Sequence, residues 1–510
     1  MSASPSALSD TRWSQLSEFI AERIGLHFPP ERWDDLKRGL TSAAGEFGFA
    51  EVAVCAEWLL SAALTKAQIQ QLAGHLTVGE TYFFREKKAF DVLAGSVLPE
   101  MIRSRRNGEL RLRIWSAACC TGEEPYSLAM LLDQVIPDLP DWKVTILATD
   151  INERFLHKAI TGVYGEWSFR EVRAGFKERY FERTGDGRYS ILPEIRKRVT
   201  FTHLNLVEDV YPSLATDTNA MDVIFCRNVL MYFTLPQALK VVRNLRRALV
   251  EDGWLVVSPS EGSRALFSRF VPVNFPGVIL YQKDDSKVRT DQRRPPVPRG
   301  ETAEFTLPAF EAFLPGVPLM PAAPPTEPTI APPPESPSQP GVAPTPLAVA
   351  ASLYQQGHYA ETADMLLAVL AVRDAPDPPA FSLLARALAN QGKLADALAW
   401  CDRWIAADKL NPSGHYLRAV VLQEVGENEP ARRSLQRAIY LDPDFVLAHF
   451  ALGNLARNCG RAHDADKHLS NAFQLVRLCQ TNDLLPESDG LTAGRLTEII
   501  SSILDLQTTP

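Results

Sequence analysis

The chain has 510 residues, 46% of them apolar, and a formal net charge of −8. That length exceeds what one hydrophobic core organises and predicts about three domains. The acidic balance argues against a general nucleic-acid binder. The opening "MSASPSALSD" has no basic segment followed by an apolar one, so no signal peptide is expected. No apolar run reaches the roughly 18 residues that cross a bilayer. Seven cysteines, odd in number and without metal-ligand spacing, fit free thiols in a reducing cytoplasm.

In chain order, residues 11–88 predict a helical N-terminal domain. "SQLSEFIAERIG" and "ERWDDLKRGLTSAA" carry apolar residues at three-to-four spacing, and Pro29 and Pro30 break between them. Residues 89–285 alternate strands with helices. The predicted strands are "LRLRIWSA", "KVTILATD", "VTFTHLNL", "MDVIFCRN" and "GWLVVSPS", and "FVPVNFPGVILYQK" reads as an antiparallel pair around a Pro-Gly turn. Such alternation predicts an α/β, doubly wound, mostly parallel sheet with its ligand crevice at the carboxyl ends of the strands.

Of 38 prolines, 17 fall between Pro295 and Pro346. With few large apolar residues to offset its ordering entropy, the stretch 286–347 reads as a semi-extended linker. After it the text repeats. Gly357, Gly392, Gly426 and Gly460 are spaced 35, 34 and 34 apart, and Ala397, Ala431 and Ala465 follow three of them by five residues. Thr362 stands at that place in the first repeat. This resembles tetratricopeptide repeats over 348–480: antiparallel helix pairs, with glycine at the turn and a small residue at the close contact. A capping helix and tail are expected over 481–510.

The chemistry concentrates at the strand ends. "WSAACCTGEEPYS", residues 115–127, joins a strand to a helix with small residues, Gly122 and two carboxylates. Glu123 and Glu124 would repel a pyrophosphate at the helix start and suit an amino group or a sulfonium, although first-turn acids also simply complement a helix dipole. Asp150 ends the second strand, where an acid accepts from ribose hydroxyls or caps the next helix. Asn205 ends the third, suited to an adenine edge or a turn, and Arg227-Asn228 end the fourth. Cys119 and Cys120 are either a redox pair or, more simply, small residues packed under a turn. Together the four ends compose a site for S-adenosylmethionine.

"LTVGETYFFRE", "WSAACCTGEEPYSLAM", "ATDIN", "GVYGEWSFR", "FCRNVLMYF" and "VSPSE" occur in that order over residues 10–285. They resemble the chemotaxis-receptor glutamate O-methyltransferases, the CheR family, in its branch with C-terminal tetratricopeptide repeats. The resemblance implies a helical domain on a class I, Rossmann-like methyltransferase fold, with a small β-subdomain at about 170–198. It implies methyl transfer from S-adenosyl-L-methionine to glutamates of a chemoreceptor's cytoplasmic domain, leaving S-adenosyl-L-homocysteine. Carried across by motif, Thr81 and Arg85 touch the cofactor, Arg85 near its carboxylate. Glu123 meets the amino group, Asp150 the ribose, and Asn205, Leu206, Arg227 and Asn228 the adenosine side. Tyr232 sits by the transferring methyl, with Tyr232 and Arg227 as positioning groups in the catalytic role. Gly79 stands in the cofactor loop where many members have Asn. The hairpin within "FERTGDGRYSI" is short, which predicts receptor recognition without a tether peptide. Arg32, Lys37 and Arg38 are candidates for steering an acidic receptor, or a plain solvated helix face. The rival readings are a methyltransferase acting on nitrogen, and a weakly active scaffold whose repeats bind a signalling partner.

Overall fold

The computed structural model describes residues 8–284 and 345–508, apart from 107–108, 173–174, 209, 373–374 and 489. The expected linker lies almost wholly outside the described residues, and the chain is next described at Thr345, which caps a helix beginning at Pro346.

The N-terminal helices Asp10–Ile24, Trp33–Glu46, Val52–Ser61 and Lys66–Leu76 close on a core of Leu16, Ile20, Leu36, Leu40, Leu59 and Leu72. Their starts follow the capping rules. The Ser9 hydroxyl accepts from Arg12 N, and Thr65 forms a reciprocal capping box with Gln68.

Among the described residues, ten strands form two sheets. They are β1 (Arg111–Ala117), β2 (Lys143–Asp150), β3 (Val163–Tyr164), β4 (Phe181–Arg183), β5 (Tyr189–Ile191), β6 (Val199–His203), β7 (Met221–Cys226), β8 (Leu249–Val256), β9 (Val271–Phe275) and β10 (Val278–Gln282). The large sheet runs β6-β2-β1-β7-β8-β10-β9, parallel from β6 to β8 and antiparallel at β10 and β9. β1 and β7 are buried at every residue, as expected of parallel strands covered on both faces. The chain leaves β1 for β2 and β6 on one side, then returns to β7 and β8 on the other. That reversal opens the crevice above the ends of β1 and β7.

The small sheet, β3-β5-β4, is antiparallel. It begins earlier than the sequence indicates, because β3 at Val163–Tyr164 joins the β4–β5 hairpin. The hairpin is short, closed by Thr184 N to Arg188 O with Gly187 left-handed.

Four helix pairs follow: Pro346–Gln355 with Tyr359–Ala371, Pro378–Asn390 with Leu394–Ala407, Pro412–Val425 with Asn428–Leu441, and Val446–Asn458 with Ala462–Val476. The four spaced glycines sit between paired helices at φ 82°, 75°, 94° and 72°, a conformation costly for any residue with a Cβ. Ala397, Ala431, Ala465 and Thr362 are fully buried where the paired helices meet. A last helix, Ala493–Thr508, adds Leu496, Ile499 and Ile500 to the same core.

The repeats pack on the α/β sheet itself. The turns at Gly392 and Gly426 abut Arg111 and Lys143, the first residues of β1 and β2, and Gly357 abuts Arg247. A Cβ at Gly392 would come within 2.8 Å of the Arg111 guanidinium. Glu424 accepts from Arg111 Nη1 at 3.0 Å and from Asn219 Nδ2 at 3.0 Å, with Glu424 and Arg111 both buried. The periodic glycines therefore serve twice, turning each repeat and laying two turns against the starts of β1 and β2, opposite the crevice, and a third against the helix Leu235–Ala248.

Candidate cofactor site

The crevice is a cleft whose empty space, open solvent included, is about 900 Å³. It collects the ends of four parallel strands and two N-terminal contributions. Thr81, Arg85, Asp150, Asn205, Leu206, Arg227, Asn228 and Tyr232 all line it. So do Ile24, Leu26, Ile151, Leu204 and Phe233, which make one wall apolar.

The turn after β1 is held open by unusual backbone. Ala118 and Cys120 have φ 61° and 52°, and Gly122 has φ 94°. A Cβ at Gly122 would lie 2.7 Å from Ala159 Cβ and 2.9 Å from the Tyr164 hydroxyl, so only glycine fits. Phe84, Glu86 and Asn228, also around the cleft, are left-handed as well, at φ 58°, 56° and 56°. Strain of this kind persists where surrounding contacts over-determine it. Burial pushes the Cys119 and Cys120 thiols up, which keeps them protonated, and both are free cysteines. They pack within the turn and also form part of the cleft lining.

The structure departs from the sequence reading at the paired acids. Glu123 is 1% exposed and does not line the cleft. Its carboxylate accepts from Thr121 Oγ1 at 2.6 Å and Ser168 Oγ at 3.0 Å, which ties the turn to the segment Glu166–Phe169. Glu124 is the acid in the cleft. It accepts from Ser116 Oγ at 2.7 Å and Arg227 Nη1 at 3.0 Å. Burial pushes its carboxyl up, against the pull of Arg227. Neighbouring residues of a helix point about 100° apart. The dipeptide therefore does not reveal which acid faces the ligand. Gly79 likewise contributes no lining; it lies between Val78 and Glu80, and a Cβ there would come within 2.8 Å of the Phe155 ring.

Asp150 is 6% exposed. Oδ2 accepts from Cys120 N and Oδ1 from Asn152 N, each at 2.8 Å. Burial raises its pKa to about 6 despite these bonds. The helix after β2 is capped by Asn152, whose side chain accepts from Arg154 N at 2.9 Å, so Asp150 is not the cap. Each carboxylate oxygen keeps a lone pair for the cleft. Asn205 Nδ2 donates to Arg23 O at 2.8 Å, tying the β6 end to the N-terminal helices.

Arg227 joins Glu124 to Glu86, whose Oε2 lies 3.0 Å from Nη2, and also donates to Arg85 O at 2.6 Å. For Glu86, burial would raise the pKa, but the Arg227 charge and hydrogen bonds outweigh it and hold the carboxyl low. Arg85 Nη1 donates to Glu80 O at 2.5 Å. Tyr232 is placed from below by Glu261, a buried carboxylate that accepts from the backbone N–H of Asn228, Val229 and Leu230 at 2.7, 2.7 and 2.8 Å. From above, the Arg32 guanidinium lies 5.0 Å from the Tyr232 ring centroid. Arg32 thus neighbours a residue of the cleft and also pairs with Asp35 at 3.3 Å, while Lys37 and Arg38 are exposed and Arg38 pairs with the same Asp35. Glu86 and Glu261 close the motifs "FFRE" and "SPSE"; their motif position was legible, but their role was not.

The donor set suits S-adenosylmethionine. The lining offers carboxylates (Glu124, Asp150), a guanidinium (Arg85) and aliphatic side chains (Ile24, Leu26, Leu204), the chemistry that a cation, a diol, a carboxylate and an adenine can use. Residues 79–274 match the family model described as CheR methyltransferase, SAM binding domain. The chain is 30% identical over 387 residues to the probable biofilm formation methyltransferase WspC of Pseudomonas aeruginosa, covering 75% of this chain and 81% of that protein. The chain belongs to the CheR methyltransferase family. It is also 28% identical over 435 residues to the Pseudomonas putida WspC, covering 85% and 92% of the two chains. Against chemotaxis protein methyltransferase 1 of P. aeruginosa it is 39% identical over 213 residues, 41% of this chain and 75% of that one. The methyltransferase's cofactor is S-adenosylmethionine. Among the described residues no helix is long and apolar enough to cross a membrane.

Proposed function

We propose that the enzyme methylates glutamate side chains of a chemoreceptor's cytoplasmic domain, forming glutamyl 5-O-methyl esters in a chemotaxis-like signalling pathway. The observation that carries this reading is a pair of arginines near Tyr232: the Arg32 guanidinium lies 5.0 Å from the Tyr232 ring centroid, and Arg85 lines the same cleft as Tyr232. These guanidiniums can pair with an anionic acceptor, Arg32 in exchange for its present partner Asp35 at 3.3 Å. A carboxylate is a competent nucleophile without a general base.

When bound, the cofactor supplies a methyl group already activated on a sulfonium. The chain's own residues orient and enclose. In this proposal Glu124, rather than Glu123, meets the amino group, with Arg227 holding Glu124 in place. Asp150 accepts from the ribose hydroxyls, Arg85 and Thr81 meet the amino-acid end, and Asn205, Leu206 and Asn228 flank the adenosine. Glu261 fixes the turn that presents Tyr232 beside the reacting atoms, and positioning with exclusion of water supplies the acceleration. The short β4–β5 hairpin supports recognition of the receptor body without a tether peptide.

The test is transfer of a labelled methyl group from S-adenosylmethionine to a purified receptor cytoplasmic domain, followed by mild alkali. Glutamyl esters release the label as methanol. Label that survives alkali means methylation on nitrogen and refutes the glutamate reading.

A further inference from the structure

The last described segment reaches the cofactor site from behind. Arg495, on the helix Ala493–Thr508, is 1% exposed although it carries a guanidinium. Its Nη1 lies 2.6 Å from His203 Nδ1, and its Nη2 donates to the His203 carbonyl. Arginine has only donors, so in this contact His203 Nδ1 is the acceptor. His203 is the final residue of β6 and pairs in register with Asp150. Leu204 N donates to Asp150 O at 3.0 Å, and Asn205 and Leu206 follow in the cleft wall.

A second cavity continues on the far side of that wall. Ile151 and Asn205 line both spaces, and the opposite wall of the second one is Thr481, Asn482, Gly494 and Thr497. The Ser213 hydroxyl adds a further tie, donating to Ser488 O at 3.0 Å. The ends of β2 and β6 are thus gripped between the N-terminal helices, through Arg23 O to Asn205, and the C-terminal segment, through Arg495 to His203.

We infer that Arg495 is a positioning residue for the adenosine end of the cofactor site, so that the repeat region is a structural part of the site and not a detachable recruiting module. The inference rests on the cofactor reading above. By holding both the ring and the carbonyl of His203, Arg495 fixes where β6 ends and therefore where Asn205 and Leu206 stand. Displacement of binding groups by about 1 Å is enough for a tenfold to hundredfold effect.

The experiment uses the full chain. Arg495→Ala, Arg495→Lys and Asp150→Ala are titrated with S-adenosylhomocysteine by calorimetry, and circular dichroism checks that each is folded. Arg495→Ala is expected to weaken binding roughly tenfold, with Arg495→Lys intermediate because one donor can still reach the carbonyl. Steady-state kinetics should place the Arg495→Ala defect in KM for S-adenosylmethionine, with kcat recovered at saturation, a split that a general loss of folded protein does not produce. Native affinity in a folded Arg495→Ala, or in a folded Arg495→Lys should the alanine variant not fold, overturns the inference, provided Asp150→Ala loses binding. Native affinity in Asp150→Ala as well refutes the cofactor reading itself, and the inference falls with it.

Discussion

Asp150 makes the cofactor site costly to the empty protein, and the cost can be measured. The carboxyl has a folded pKa of about 6 against an ordinary 3.8, because burial penalises its charged form. The folded state therefore holds more protons than the unfolded state between those values, and stability falls as pH rises from about 3.8 to 6. At 1.36 kcal/mol per pKa unit the full cost at pH 7 is about 3 kcal/mol, of which about 2 kcal/mol develops between pH 4 and pH 7. Asp150→Asn removes the titration. It also places an amide NH2 against one of the two backbone donors, Cys120 N or Asn152 N. That mismatch is independent of pH and cancels when the two proteins are compared across pH. Urea unfolding of both full chains, without cofactor, at pH 4, 5, 6 and 7 should show the variant gaining about 2 kcal/mol relative to the parent as pH rises. Other carboxyls titrate alike in both. The parent should also bind S-adenosylhomocysteine more tightly as pH rises through 6, when the acceptor becomes fully ionised, and the variant should keep only the weaker dependence that Glu124 contributes. Parallel stability curves for the two proteins would refute the buried-carboxylate account of this site.

Four further outcomes follow from the same geometry. Glu124→Gln should weaken S-adenosylhomocysteine binding roughly tenfold, since it removes a charged partner worth about 1.4 kcal/mol, whereas Glu123→Ala should mainly lower the melting temperature by orphaning Thr121 and Ser168; the reverse pattern would return the amino-group role to Glu123. Glu261→Ala should reduce methyl transfer tenfold or more by releasing the turn 228–231, measured as kcat on receptor domain, and unchanged kcat would remove Glu261 from the placement of Tyr232. Glu424→Ala should destabilise the repeat contact by about 3 kcal/mol, because it leaves Arg111 buried without its partner, and urea unfolding followed by proteolysis of the repeats reads this directly. The same contact should tighten as pH rises through about 8. Burial lowers Lys143 to about 8, so the folded state holds fewer protons than the unfolded state between about 8 and the ordinary 10.5.

The strands of the large sheet, the helix pairs and the strand-end site were legible because each is written locally. Apolar runs bounded by turn residues set β1, β2, β6, β7 and β8, and a 34-residue period set the repeats. Asp150, Asn205 and Arg227 were candidates because polar residues at the ends of such strands tend to face the crevice, and all three line the cleft. The choice between Glu123 and Glu124 was not legible, because it depends on the rotation of one helix about its axis. That rotation is set by Gly122 at its start and by Ser168, 45 residues away. The surroundings of Gly79 and the pairing of β3 were not legible for a related reason, since Phe155 and the β4–β5 hairpin, distant in sequence, decide them.

The docking of the repeats was the least legible feature, and its residues explain why. Arg111, Lys143, Glu424 and Arg495 are charged, and charged side chains in a sequence are ordinarily assigned to solvent. Here Arg111, Glu424 and Arg495 are buried and Lys143 is partly buried, each with a hydrogen-bond acceptor or donor from the other part of the chain. Buried ionic contacts of this kind add little net stability, but removing one partner is expensive. They therefore select one orientation between two bodies more than they strengthen the attachment. Gly392 and Gly426 at the starts of β1 and β2 and Arg495 at the end of β6 fix that orientation at opposite ends of the strands. A partner that pulled the repeats from the sheet would have to break both contacts, and the second lies on the strand that carries the cofactor wall.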